Sequence, residues 1–269
     1  MTPPVDSMSV LPPTGTPTDN EPPPLWFNVP DGFFALPLAA TPEERADRSK
    51  EFVRSLYSRG DESIWEPAAP YYEGVAELMA ETGVSYSAMG LFSTADSDAE
   101  TEAAEDGNAI GARYEGADGV AQCAFTVAAV PTDQAANDTD VVAQGILATL
   151  AREPHNDARW LDLPCGPAVS CITLTKYELS PQVTASGEPS NLLTGQIQVH
   201  VPFSTGPFTA IFTLHTASTD YWAEFCDIMA AILRTVSFTE PVEDELVGDE
   251  VMGDGEEPSG GSATPGPAA

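Results

Sequence analysis

The stretch GQIQVHVPFSTGPFTAIFTLHT, residues 195–216, decides the fold of this chain. Large apolar residues alternate on both sides of a Thr205-Gly206 turn, which is the pattern of two half-buried strands. A two-residue loop at this turn pairs Ile197 with Leu214 and gathers the apolar residues on one face, whereas a slip by one residue would split that face. The apolar face comprises Ile197, Val199, Val201, Phe203, Phe208, Ala210, Phe212 and Leu214. The opposite face carries Gln198, His200, Thr209 and Thr213.

Residues 219–236 follow this hairpin and form the most apolar helix that the sequence predicts. Apolar residues recur every three or four positions, as at Trp222, Phe225, Met229 and Ile232, and form one stripe along the helix. The stripe and the hairpin face each need an apolar surface to cover them. We therefore expect this helix to lie across the hairpin.

Upstream segments complete the pattern. A helix start is predicted at Thr41, which is the N-cap. Pro42 follows in the first turn, and Glu44 completes a capping box. A second helix begins near Pro67, and further alternating segments predict strands. The predicted order is β, α, α, β, β, α, β, β, β, β, α. Short turns between neighbouring strands favour an antiparallel sheet packed by amphipathic helices, which is the α+β class.

A single domain, residues 25–240, accounts for all of these elements. Residues 1–24 are rich in Pro, and residues 241–269 are acidic and then rich in Gly, Ser and Pro. Neither segment has enough large apolar residues to offset the entropy of ordering, so we expect both to be disordered tails. Residues 95–118 contain eight acids and one Arg, which predicts an acidic loop within the domain.

The charge of the chain limits its partners. There are 42 acidic residues against 10 Lys and Arg, for a net charge of −32. A protein that binds the phosphate backbone of nucleic acids needs a basic face, so the charge excludes that class and also disfavours anionic membranes. Strong acidity keeps a protein soluble and attracts cationic partners.

The N-terminus lacks both the basic region and the apolar core of a secretory signal, and no segment approaches the length of a transmembrane span. These features predict a cytoplasmic protein, while export by a route other than Sec stays open. A composition rich in Ala, Pro and acids and poor in Lys is typical of a high-GC, actinobacterial proteome.

Four cysteines fit a reducing compartment. Cys123 and Cys226 lie in apolar patterns and are interpreted as small core residues. Cys165 and Cys171 flank Gly166-Pro167 and are a candidate disulfide: they face each other if the turn centres on Ala168, but not if it centres on Gly166-Pro167. This pair lacks further Cys or His neighbours and is a poor zinc site.

No catalytic site, metal site or cofactor is predicted. His155 lies in a polar loop, His200 on the polar face of the hairpin and His215 at a strand end. The predicted register places His200 opposite Ile211 and His215 opposite Gln196, so these groups do not converge as a catalytic site requires. Phosphate-loop, dinucleotide, nucleophile-elbow and zinc-protease motifs do not occur.

The first helix holds half of all the basic residues and is a candidate interaction surface. These residues are Arg45, Arg48, Lys50, Arg54 and Arg59. One interpretation is that they lie along the apolar stripe and form intrahelical pairs such as Glu44–Arg48. The alternative is that the helix docks the acidic loop, the acidic tail or an acidic partner. In the second helix, Tyr71 is predicted to be in the core and Tyr72 on the surface, where it would mark an interface.

The two ends of the domain resemble the PsbP-like fold group, which includes small actinobacterial lipoproteins and Ran-binding proteins. The resemblance lies in the strand that runs into Val29-Pro30-Asp31-Gly32-Phe33 and in the last helix, which is followed by Val236-Ser237-Phe238. It implies a non-catalytic binding or accessory role and assigns no site residues.

We therefore predict a non-catalytic accessory or scaffold protein that binds another protein through a sheet edge, the aromatic segment or the tails. One alternative is a carrier that holds a small apolar ligand in a pocket between sheet and helices. The other is an enzyme whose site these patterns do not reveal.

Overall fold

The computed structural model describes residues 8–10, 22–57, 61–94, 119–132, 138–184 and 186–240. The strands are β1 (Met8–Val10), β2 (Leu25–Phe27), β3 (Phe33–Ala35), β4 (Val84–Ser93), β5 (Val120–Pro131), β6 (Asp157–Leu163), β7 (Gly166–Leu179), β8 (Ser190–Pro202) and β9 (Phe208–Thr216). The α-helices are α1 (Pro42–Leu56), α2 (Glu62–Trp65), α3 (Ala69–Glu81), α4 (Thr139–Leu150) and α5 (Trp222–Arg234). A 3₁₀ turn joins α2 to α3.

Seven strands form the central sheet in the order β3-β4-β5-β9-β8-β7-β6, and every neighbouring pair is antiparallel. β1 and β2 form a separate ladder. Helices pack on this antiparallel sheet, so the predicted α+β class is confirmed. The predicted register of the β8–β9 hairpin is confirmed as well, since Ile197 lies opposite Leu214 and His200 opposite Ile211.

The core lies between one face of the sheet and α5. The alternating apolar residues of β5, β8 and β9 pack against Phe225, Met229, Ile232 and Leu233 of α5, as the sequence predicts. Four rings at the centre, which we call the aromatic core, are Phe27, Tyr86, Phe125 and Phe212. Their centroids lie 5.3–6.4 Å apart in the contacting pairs, and most pairs meet edge to face. This geometry is the favoured one for aromatic side chains, so the four rings stabilise one another.

The other face of the sheet has helices at its two ends. α1 packs on β3, and α3 packs on α1 and β4. Phe52, Val53, Trp65 and Ala69 form a second apolar cluster there. At the far end α4 packs on β6, β7 and β8. β5 and β9 lie between these two helical layers.

The predicted start of α1 is confirmed. The Thr41 hydroxyl accepts a hydrogen bond from the backbone N–H of Glu44 at 3.2 Å, and Pro42 is the first helical residue. The cap satisfies one of the N–H groups that the first helical turn leaves without an intrahelical partner.

The structure departs from the predicted N-terminal tail at one place. Met8–Val10, within residues 1–24, form β1 and pair with Leu25–Phe27. Residues 22–24 are described as well. The remainder of that tail, the predicted acidic loop at 95–118 and the predicted tail at 241–269 lie outside the described residues.

The candidate disulfide between Cys165 and Cys171 is not formed. Leu163 lies opposite Gly166, so the β6–β7 turn is at Pro164-Cys165, earlier in the chain than either predicted turn position. Cys171 lies opposite Ala158 in the β6–β7 ladder, while Cys165 occupies the turn itself. Both thiols are free.

Candidate functional site

The candidate functional site is the strip of sheet between the two helical layers that no described helix covers, and we call it the trough. Along β5, side chains such as Cys123 and Phe125 are buried beneath α5, while the intervening ones point to the other face, where Ala124 is exposed and Thr126 is partly exposed. The same alternation on β9 directs Ile211 and Thr213 into the trough. The floor consists of Val120, Gln122, Ala124, Thr126, Ala128, Val130, Ile211, Thr213 and His215.

The floor of the trough is uncharged. The strands β4, β5, β8 and β9 contain no Asp, Glu, Lys or Arg at any position. An antiparallel sheet with one face in water normally alternates apolar residues with strongly polar ones. Because the whole chain has 42 acids and a net charge of −32, an exposed sheet face without a single formal charge is the exception on its surface.

One wall of the trough is the side of α3 that faces away from α1. Tyr72 contacts Phe52 of α1 with ring centroids 4.7 Å apart, and Glu77 forms an ion pair with Arg45 at 3.5 Å. At about 100° per residue, Tyr71 and Leu78 lie on the opposite side of α3. These two apolar side chains are 69% and 62% exposed.

The predicted core position of Tyr71 is therefore wrong. Tyr71 is exposed at the wall of the trough, and Tyr72 is half-buried against Phe52. Burial and a hydrogen bond with Tyr57 raise the pKa of Tyr72 to about 12. Tyr72 therefore packs α3 against α1 and stays neutral at any physiological pH.

His200 and Gln198 of β8 border the trough opposite α3. The His200 Nε2 atom lies 3.1 Å from the Gln198 side-chain oxygen, at hydrogen-bond distance. Burial lowers the pKa of the His200 imidazole below its ordinary value of 6.5. The neutral form therefore dominates at pH 7, and this border of the trough is uncharged like its floor.

We expect His200 to make the protein less stable in mild acid. In the unfolded chain, His200 binds a proton at its ordinary pKa of 6.5, whereas in the folded protein its pKa is lower. Protonation therefore favours the unfolded state, and stability is lost as the pH falls from 6.5 towards the pKa of His200 in the folded protein. The loss in free energy of unfolding between pH 7 and pH 5.5 should be smaller in His200→Gln, measured by urea denaturation. Equal losses in wild type and His200→Gln would contradict this assignment.

Each basic residue of α1 that the structure describes contacts another group of the protein. Arg45 donates to the Ala39 carbonyl at 2.9 Å and pairs with Glu77. Arg48 donates to the Leu38 carbonyl at 2.9 Å and forms the predicted pair with Glu44.

The other bases of α1 are engaged in the same way. Lys50 pairs with Asp47 at 3.6 Å, and the Arg54 guanidinium lies 5.1 Å from the centroid of Trp65. Arg59 lies outside the described residues. These contacts favour the interpretation in which the bases support the helix over the one in which they dock an acidic segment.

The histidines and cysteines are scattered. His215 lies opposite Gln196 and Ala124, and His155 is exposed in the turn before β6. Within the part of the chain that the structure describes, no three His, Cys, Asp or Glu side chains come together as metal ligands. None of the described helices is long and apolar enough to cross a membrane.

Comparison with known proteins adds no relative. No protein-family model, curated protein or solved structure matches this chain. The resemblance of its two ends to the PsbP-like group therefore stays a prediction. The candidate site rests on the geometry of the trough alone.

Proposed function

We propose that this protein is a non-catalytic accessory or scaffold protein that binds a segment of another protein in the trough. The observation that carries the proposal is an open, uncharged sheet face in a chain with a net charge of −32. Exposed apolar side chains at its wall and ends, Tyr71, Leu78, Val120 and Val130, add contact area of the kind that marks interfaces.

The dimensions of the trough fit a polypeptide segment. Four strand spacings separate β4, beneath α3, from β7, beneath α4, which is about 19 Å. Two helix radii take up about 10 Å of this distance and leave a gap of about 9 Å. Along β5 the floor extends from Val120 to Val130, about 34 Å. A trough of this width and length accommodates about ten residues of one extended chain.

Other features favour a protein partner over a small ligand, nucleic acid or substrate. The layer between sheet and α5, where a carrier would hold its ligand, contains the contacting rings of the aromatic core. The net charge disfavours nucleic acid. His200, the half-buried histidine, contacts an amide instead of a carboxylate that would orient it as a base. We place the interaction in the cytoplasm, in keeping with four free thiols.

Site-specific photo-crosslinking in the native host tests the proposal. Benzoylphenylalanine at Ala124, on the floor of the trough, is expected to crosslink one partner protein, through peptides that map to one segment of it. The control position is Ala231, an exposed residue of α5 on the opposite face of the sheet. Identical adducts from both positions, or none from Ala124, would contradict the proposal.

A further inference from the structure

Two observations single out one end of the trough, which we call the Val130 end. First, exposed carboxylates flank it. Glu81 is the last residue of α3, and α3 leads into β4, which begins opposite Ala128. On the other side, α4 follows the end of β5, and its first turn carries Asp140.

The second observation is a buried hydroxyl that has no partner. Thr209 lies opposite Val130 in the β5–β9 ladder, and its side chain projects to the same face of the sheet as the trough floor. The residue is only 3% exposed, and its Oγ1 atom makes no hydrogen bond within the described part of the chain. A buried polar atom without a partner is costly, so a hydrogen-bond donor that reaches Thr209 from this end of the trough would be stabilised there.

The protein supplies no cation of its own here among the described residues. Arg45 pairs with Glu77, one turn before Glu81, and donates to the Ala39 carbonyl. Asp138, the N-cap of α4, accepts hydrogen bonds from the backbone N–H groups of Asp140 and Val141 and thereby offsets the positive end of that helix. The carboxylates of Glu81 and Asp140 form no ion pair in the described structure.

We propose that the segment bound in the trough has an uncharged body and Lys or Arg residues at one terminus, which lies at the Val130 end. This inference rests on the proposed function and adds the chemistry and direction of the partner. The uncharged floor accepts the body without leaving a buried charge unpaired. Carboxylate and hydroxyl oxygens at the Val130 end accept hydrogen bonds, which Lys and Arg donate.

Charge also argues against a second copy of this chain as the occupant. Two molecules with a net charge of −32 each repel one another, whereas a basic segment is drawn to the acidic protein. Electrostatic complementarity of this kind gives orientation as well as attraction, so the acids at the Val130 end select one of the two directions in which a segment can lie.

Selection from a phage library of random 12-residue peptides on the full-length protein tests this inference. Peptides that depend on the trough are identified first, as those that bind wild type and Ala231→Glu but not Ala124→Glu. These peptides are expected to carry Lys or Arg clustered at one terminus and no charge elsewhere. Their affinity should fall at least about tenfold in the double variant Glu81→Lys/Asp140→Lys and about threefold in Thr209→Val.

The matched control reverses two exposed acids that are distant from the trough, Glu188→Lys/Glu224→Lys, and should change the affinity less than about twofold. Trough-dependent peptides without a basic terminus, or an unchanged affinity in Glu81→Lys/Asp140→Lys, would overturn this inference and leave the proposed function standing. If no selected peptide depends on Ala124, the proposed function fails and the inference fails with it.

Discussion

Replacing Phe125 by Ala is expected to lower the free energy of unfolding by about 3–5 kcal/mol. The Phe125 side chain is fully buried, and its ring lies 5.7–6.4 Å from the centroids of Phe27, Phe33, Tyr86 and Phe212. Truncation of Phe125 to Ala therefore leaves a cavity among these rings. The rings relax little into it, because the sheet backbone holds them in place on one side. Since small domains are stable by only about 5–15 kcal/mol, this one change removes a large part of the total.

Urea denaturation followed by circular dichroism measures this effect. Tyr71→Ala is the matched control, because it removes an aromatic ring of similar size from an exposed position and should change the free energy by less than about 0.5 kcal/mol. Similar losses in the two variants would contradict the placement of Phe125 at the centre of the aromatic core.

Replacing Gly195 by Ala is expected to cost about 1–3 kcal/mol, because the indole of Trp222 packs directly on this glycine. A Cβ atom at position 195 would lie 2.2 Å from Cζ3 of Trp222 and 2.7 Å from its Cε3. The Trp222 ring would have to move, and because Trp222 is the first residue of α5, the start of this helix on β8 would shift as well. In a Trp222→Ala background the same Gly195→Ala change should cost at least about 1 kcal/mol less, since the obstructing ring is gone.

A second Gly→Ala change provides the control, because it is expected to change the free energy of unfolding in the opposite direction. A Cβ atom at Gly74, within α3, meets nothing within 4 Å, so Gly74→Ala should raise the free energy of unfolding by about 0.5–1 kcal/mol. Equal effects at Gly195 in the presence and absence of the indole would show that the packing of Trp222 is not the cause.

The parts of the fold that the sequence predicts correctly are those with local signals. The β8–β9 register follows from alternation on both sides of one turn, and any slip would expose Phe212 or Leu214. The start of α1 follows from a capping residue and a proline at adjacent positions. Each of these signals lies within about twenty residues of chain, and the structure confirms both.

The predictions are wrong where two neighbouring residues or turns fit the local pattern equally well, or where the structure depends on segments distant in sequence. Tyr71 and Tyr72 are adjacent, so helical spacing alone leaves open which one meets the core, and Phe52 of α1 decides it. The β6–β7 turn was misplaced because Pro164-Cys165 and Gly166-Pro167 both have turn chemistry. The trough itself was missed, since it exists only because α3 and α4 pack at opposite ends of the sheet. Its one signal in the sequence is the absence of Asp, Glu, Lys and Arg from four long strands.

We propose that the floor of the trough is open to water in the free protein and is uncharged because it binds a partner. The free energy of unfolding of Thr126→Lys/Thr213→Glu tests it most directly, since these two residues lie opposite each other on the floor. If the floor is open, an opposite-charge pair across two strands should leave the stability within about 1 kcal/mol of wild type. A loss of about 3 kcal/mol or more would show that the protein itself covers this face and would contradict the account.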